Sequence, residues 1–96
     1  MDTKQVIKAM KALSNTNRFE IFMEIYKNNK QSSFKEEECF VYDVIKKLNI
    51  GTPTISHHLK ELSNADLIIT ERRGKQIVAK VNEETVRGIR AILNLK

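Results

Sequence analysis

The run from residue 49 to residue 65, NIGTPTISHHLKELSNA, constrains this chain more than any other stretch. A compact turn holding Gly51 and the only proline, Pro53, separates two short amphipathic segments. Thr52 as N-cap with Pro53 at the first helical position makes a good helix start, because a first-turn N–H has no intrahelical partner for proline to forfeit. The helix expected after the turn, Pro53 to Ala65, sets Ile55, Leu59 and Leu62 on one stripe. Before the turn, Val41, Val44, Ile45 and Leu48 define a helix from about Val41 to Leu48 with its apolar side inward.

After Asp66 the period changes. LIITERR and KQIVAKV alternate like two β-strands joined at Arg73-Gly74-Lys75, a hairpin tip. Towards the N-terminus, Thr3 to Leu13 carries Val6, Ile7, Met10 and Leu13 at helical spacing with lysines opposite. Ser14 or Asn15 is placed to cap a second helix, roughly Asn17 to Asn28. That helix presents Phe19, Phe22, Met23 and Tyr26 on one side and Ile21 and Ile25 on another, as a central helix would. Asn29 to Glu38 reads as an exposed connection, and Glu83 to Leu95 as a last helix with Val86, Ile89, Ile92 and Leu93. The expected order is helix-helix-helix-helix-hairpin-helix. Two short helices across a tight turn, followed by a basic hairpin, make a winged helix-turn-helix, a mainly α member of the α+β class. No repeat or linker divides residues 1–96, so one domain is expected.

Composition narrows what such a fold is for. The 17 Lys+Arg against 12 Asp+Glu leave a formal charge of +5, which suits a polyanionic partner, nucleic acid before an anionic membrane. The single cysteine, Cys39, excludes an internal disulfide framework and any multi-cysteine zinc site. Lysines interrupt the apolar residues of the N-terminal segment, so it does not read as a signal peptide, and no apolar run approaches the roughly 20 residues of a membrane span. A soluble cytoplasmic protein is expected. No nucleophile–base pair, phosphate-binding glycine loop or spaced carboxylate pair points to an enzyme.

With the Ile55/Leu59/Leu62 stripe on the core, Thr54, His57 and Glu61 point roughly away, with Ser56 and Lys60 on a flank. Short hydroxyl and imidazole groups near a helix start suit phosphate oxygens and base edges in the major groove. Arg72, Arg73 and Lys75 at the wing supply charge for phosphates. Read alone, such a tip is as well an ordinary solvated hairpin; behind a helix-turn-helix the functional reading gains. His57 and His58 diverge by about 100° as neighbours on a helix, unlike the i, i+4 pair that chelates a metal. His58 lies beside the apolar stripe and reads as packed or capping, His57 as outward.

The run ALSNTNRFEIF resembles the "ALSDPTRLRIL" segment of the ArsR/SmtB repressors. VYDVIKKLNIGTPTISHHLKELSNADLI is similar to that family's helix-turn-helix, with its "QPTVSHHLKVLREAGLV", and the wing RRGKQIVAKVN fits as well. The resemblance implies a homodimer joined through the first and last helices, with Val6, Ile7, Met10, Val86, Ile89, Ile92 and Leu93 as interface. It also implies one recognition helix per protomer on double-stranded operator DNA, with Thr52, Thr54, Ser56 and His57 as the readers. It implies repression as the output.

Two departures matter. Gly51 stands where the family prefers a serine cap. Where many members have ELCVCDL and bind a soft metal through two cysteines, this chain has Glu38-Cys39-Phe40-Val41-Tyr42-Asp43-Val44. Phe40 and Tyr42 occupy the cysteine positions, and the last helix contains neither the histidine nor the aspartate of the family's zinc site. No metal and no cofactor is therefore expected, and the effector stays open. Cys39 has no second cysteine, and Glu36, Glu37 and Glu38 would raise a nearby thiol pKa, so an inert Cys39 is favoured. Two rivals remain: a winged-helix protein-interaction module, and a repressor sensing redox state or a small ligand in a pocket lined by Phe40, Tyr42 and Cys39.

Overall fold

The computed structural model describes residues 1–31 and 39–94; at 29–31, 39, 52 and 53 only the backbone is described. Five helices and three strands succeed one another: α1 (Thr3–Leu13), α2 (Thr16–Gln31), β1 (Cys39–Phe40), α3 (Val41–Leu48), α4 (Thr52–Asn64), β2 (Ile68–Arg73), β3 (Gln76–Val81) and α5 (Glu83–Leu93). The helices and the hairpin stand in the expected order. The strands form one antiparallel sheet, β1-β3-β2.

Local chemistry sets the ends of α1. Asp2 caps it through a reciprocal pair: its Oδ1 accepts from Gln5 N at 2.9 Å, and Gln5 Oε1 accepts from the Asp2 N–H at 2.8 Å. Ser14 closes the helix by donating from Oγ to Lys11 O at 2.7 Å. The cap of α2 is therefore Asn15, whose Oδ1 accepts from Arg18 N. The inward side of α1 includes two alanines beside part of the apolar stripe. Val6, Ala9 and Ala12 are buried and Leu13 partly so, while Ile7 and Met10 are 49% and 41% exposed. Two alanines on the buried side let α1 lie close on its neighbours, and the larger side chains are left outside.

Central α2 touches α1, α3, α4, β1 and β3, and it supplies Ile21, Phe22 and Ile25 to the core. Phe19, expected with the buried set, is 46% exposed. The helix runs to Gln31, past the expected end at Asn28; the expected connection beyond it, with Glu36, Glu37 and Glu38, lies outside the described residues. Strand β1, two residues long, is unheralded in the sequence, since an alternating pattern cannot be read over so short a span. Its pairing of Cys39 with Ala79 and Phe40 with Val78 comes from the neighbouring hairpin.

Left-handed residues close both helices of the helix-turn-helix. Asn49, at φ 54°, ends α3 and starts the turn to α4. Gly51, extended at φ −65° and ψ 140°, is the N-cap of α4, and Ile55 N–H bonds back to its carbonyl. Thr52 is thus the first helical residue rather than the cap, and Pro53 the second. Proline is harmless there because first-turn N–H groups have no helical acceptor. At the far end Asp66 takes φ 60°, with Asp66 N–H on Ser63 O and Leu67 N–H on Leu62 O. This double bond pattern is a Schellman close, and it delivers the buried Leu67 and Ile68 into β2.

The hairpin turns through Gly74 and Lys75, enclosed by the Arg73–Gln76 pair. Gly74 has φ 62°, the positive angle that a two-residue type II′ turn needs at its first central position. Asn82 caps α5 by accepting from Thr85 N, and Glu83 and Glu84 suit the positive end of its dipole. The helix ends at Leu93, before left-handed Asn94; the expected end, Leu95, lies outside the described residues. Gly88 lies under Met1: a Cβ added there would stand 3.0 Å from the Met1 sulfur, so the start of the chain folds over α5. No helix among the described residues is long and apolar enough to cross a membrane.

A left-handed Asp carries a steric cost that glycine lacks, partly offset by glycine's freer unfolded chain. Asp66→Gly should raise stability by about 0.5–1 kcal/mol in urea unfolding. A loss of stability would show that the aspartate side chain stabilises this corner.

Candidate nucleic-acid interface

Helix α4 has two unlike faces. Ile55, His58, Leu59 and Leu62 are buried, Leu62 completely. Thr54, Ser56, His57 and Lys60 are exposed, and Glu61 is half-buried. The core stripe thus turns these four polar side chains to solvent as a set, with Thr52 at the first helical position. The rings of His57 and His58 sit 6.0 Å apart, one outside and one inside. His58 Nδ1 and Nε2 both lack a hydrogen-bond partner among the described residues. Burial first, then the charges of Arg18 and His57, push its pKa below the usual 6.5.

Arg72, Arg73 and Lys75 are exposed on the wing. Arg73 is tied to Glu71 of the same strand, Nη1 to Oε2 at 2.8 Å. Residues two apart in a strand share a face, so the TERR spacing already contained this pair. The hydrogen bond and charge of Arg73 hold the Glu71 carboxyl below its ordinary range.

Other polar residues around the helix-turn-helix escaped the sequence reading. Glu24 of α2, buried, meets the Lys47 ammonium of α3 at 2.7 Å. Arg18 Nε donates to Ala12 O at 2.7 Å, joining the start of α2 to the end of α1. Lys46 sits over the ring of Tyr42 at 5.6 Å, and Tyr42 is 57% exposed. Glu24 and Arg18 pair across different helices and leave no signal in local spacing; only the Tyr42–Lys46 step of four residues was legible. Of the pocket suggested by Phe40, Tyr42 and Cys39, Tyr42 faces outward under Lys46, Phe40 is half-buried, and the Cys39 side chain lies outside the described ones.

The residues assigned to a dimer seam divide. Val6 is buried within the protomer, and Val86 and Ile89 pack half-buried against its core. Ile7, Met10, Ile92 and Leu93 are exposed. Among the described residues no three His, Cys, Asp or Glu side chains converge as metal ligands would. Phe40 and Tyr42 offer no thiolate, and α5 has no histidine or aspartate.

Residues 32–70, from ahead of β1 through α3 and α4 into β2, match the model of the bacterial regulatory protein, arsR family. The helix-turn-helix of this chain is similar to that of the arsR-family regulators. Solved structures of such regulators carry the same fold. An ArsR-like transcriptional regulator from Rhodococcus sp. RHA1 superposes with a TM-score of 0.73 at 18% identity, over 95% of this chain and 77% of that one. A homodimeric winged helix-turn-helix DNA-binding domain from Mycobacterium bovis, described as a possible ArsR-family regulator, gives 0.70 at 20%, over 96% and 78%. The transcriptional repressor BigR from Xylella fastidiosa gives 0.68 at 22%, over 96% and 86%. At such identities the likeness is one of fold. No match is found among curated protein sequences.

The Glu71–Arg73 pair has a direct readout. In an NMR carboxyl titration Glu71 should protonate below the ordinary glutamate range, and Arg73→Ala should move it back up. An unchanged Glu71 would mean that the pair does not persist in solution.

Proposed function

We propose that residues 1–96 form a single winged-helix domain that acts in the cytoplasm as a homodimeric repressor. Each protomer places α4 in the major groove of an operator whose two half-sites lie about one helical turn apart. The observation that carries this reading is the polar face of α4. Ile55, Leu59 and Leu62 fix the helix to the core, and Thr54, Ser56, His57 and Lys60 are thereby presented together on its outside. Thr52 at the helix start joins them, where free N–H groups and the helix dipole favour a phosphate. Arg72, Arg73 and Lys75 supply sequence-independent charge from the wing, with Arg73 shared between Glu71 and the backbone of the DNA. Repression is steric: the bound dimer occupies promoter DNA.

The dimer is supported by the side chains that the protomer leaves uncovered. Ile7 and Met10 on α1 and Ile92 and Leu93 on α5 are large apolar side chains in solvent, and a second copy would cover them. The Mycobacterium bovis domain of this fold is homodimeric. Val6, already buried, serves the seam from beneath. The signal that releases DNA is not a metal bound in the usual ways, given Phe40, Tyr42 and an α5 without histidine or aspartate.

Fluorescence anisotropy on the chain's own upstream promoter duplex and on a scrambled duplex, at two salt concentrations, tests the DNA reading. Tight, selective binding that weakens steeply with salt is expected. Arg72→Ala with Arg73→Ala should weaken both duplexes alike and flatten the salt dependence. Ser56→Ala or His57→Ala should cost discrimination, about 1–3 kcal/mol per lost base contact. Equal, weak, variant-insensitive binding would instead favour a protein-interaction module. For the seam, Ile92→Lys should convert the dimer to a folded monomer by light scattering and weaken operator binding markedly. A variant that stays dimeric would move the interface elsewhere.

A further inference from the structure

One buried group on α4 takes no part in its DNA-facing surface. His58 is 5% exposed, and it belongs to the side of the helix that holds Ile55, Leu59 and Leu62 in the core. A neutral imidazole carries one donor and one acceptor, and here both ring nitrogens are shut from solvent without a partner among the described residues. An imidazolium in the same place would bury two donors and a full charge.

The surroundings make that charge worse. Helix α4 packs against α1, α2 and β2. The charged groups that bear on His58 are Arg18 from α2 and His57 from α4, both bases. The carboxylates of these elements are Glu20 and Glu24 of α2, Glu61 of α4 and Glu71 of β2, of which Glu24 meets Lys47 and Glu71 meets Arg73; beyond its Asp2 cap α1 carries only lysines as charged residues. Burial and these bases disfavour the charged ring in this seat.

We propose that His58 is an acid-sensitive latch on the DNA-reading helix: neutral, it lies seated in the core, and it takes up a proton in mild acid only by leaving that seat, which displaces α4 and releases DNA. This rests on the reading of α4 as the element that meets DNA. Linkage sets the sign. Above the ordinary value of 6.5 both the folded and the unfolded chain hold His58 neutral, and the fold loses nothing. Below it the unfolded or unseated chain binds a proton that the seated form rejects. Stability then falls with pH until the lower pKa of the seated form is reached. His57 is a second imidazole, exposed on the face turned to DNA, and it is replaced in the test so that His58 is read alone.

The test compares His57→Gln with the double variant His57→Gln, His58→Leu. Urea unfolding and anisotropy on the same promoter duplex are run from about pH 7.5 to about pH 5 at constant ionic strength. In the single variant the folding equilibrium constant should fall by up to about tenfold per pH unit below 6.5, beyond the fall in the double variant. Its DNA affinity should drop several-fold more over the same range. Leucine at 58 should cost little at the upper end of that range, since it deserts no hydrogen bond among the described residues. Equal acid dependence in the two variants overturns the latch. Absence of DNA binding by the wild-type chain at the upper pH overturns the DNA reading instead, and the unfolding data still decide whether acid unseats His58. Should the double variant fail to fold, NMR of the wild-type chain, which has only two histidines, gives the answer. A His58 that titrates at or above 6.5 refutes the proposal, and one that stays neutral well below 6.5 supports it.

Discussion

The burial of one stripe of α4 against α2 is the constraint on which everything else hangs. Ile55, Leu59 and Leu62 sit with Ile21 and Ile25 in a single apolar cluster, and Leu62, Ile21 and Ile25 are almost wholly removed from water. Each such side chain contributes about 1.5–3 kcal/mol when fully buried, far more than any polar contact on the surface of the helix. Rotation of α4 about its axis would take several of them out of the core at once. Its outer face is therefore presented rigidly, although none of the residues on that face has a structural reason to be where it is.

The joints around α4 serve the same end. Asn49 and Asp66 take left-handed backbones at the close of α3 and α4, so that the chain can turn sharply without leaving carbonyls unbonded. Lys47 reaches the buried Glu24, tying α3 to the central helix. Arg18 bonds the last turn of α1, so the first two helices meet through a charged group as well as through alanines. These contacts hold the helix-turn-helix as one body on α2. The wing is anchored through one strand: of the β2 residues only Ile68 is buried, β3 buries Val78, Ala79 and Val81, and the charged tip projects into solvent.

The surface divides by chemistry. One part is polar and basic, from α4 and the wing. Another is apolar, from Ile7 and Met10 on α1 and Ile92 and Leu93 on α5, and Met1 lies over Gly88 of α5. A chain of 96 residues has little interior to spare for large side chains. Placing alanines inward on α1 and leaving isoleucine and methionine outward spends scarce apolar bulk on the surface, which suits association more than folding of a lone protomer.

Much of this was legible in order along the chain. The boundaries of α1 and α3, the turn at Gly51, the tip at Gly74, and the opposed settings of His57 and His58 come from local periodicity and backbone preference. Those signals act over a few residues, so a linear reading finds them. The same reading did not show that Ala9 and Ala12 form the inward side of α1, because helical spacing shows that apolar residues share a side but not which neighbour will approach it. It missed β1, whose pairing exists only through β3, and the Glu24–Lys47 and Arg18–Ala12 contacts, whose partners lie on different helices. It also took Thr52 for the cap, since Thr and Gly are both acceptable there and the backbone path out of Asn49 decides between them. Sequence alone determined that a helix with a polar, hydroxyl- and histidine-bearing face would come after a tight turn and precede a basic hairpin. Only the tertiary structure decided that the inward His58 would lie under the charge of Arg18 without a hydrogen-bond partner among the described residues, because neighbouring charge and hydrogen-bond partners are properties of packed helices and not of any one stretch of chain.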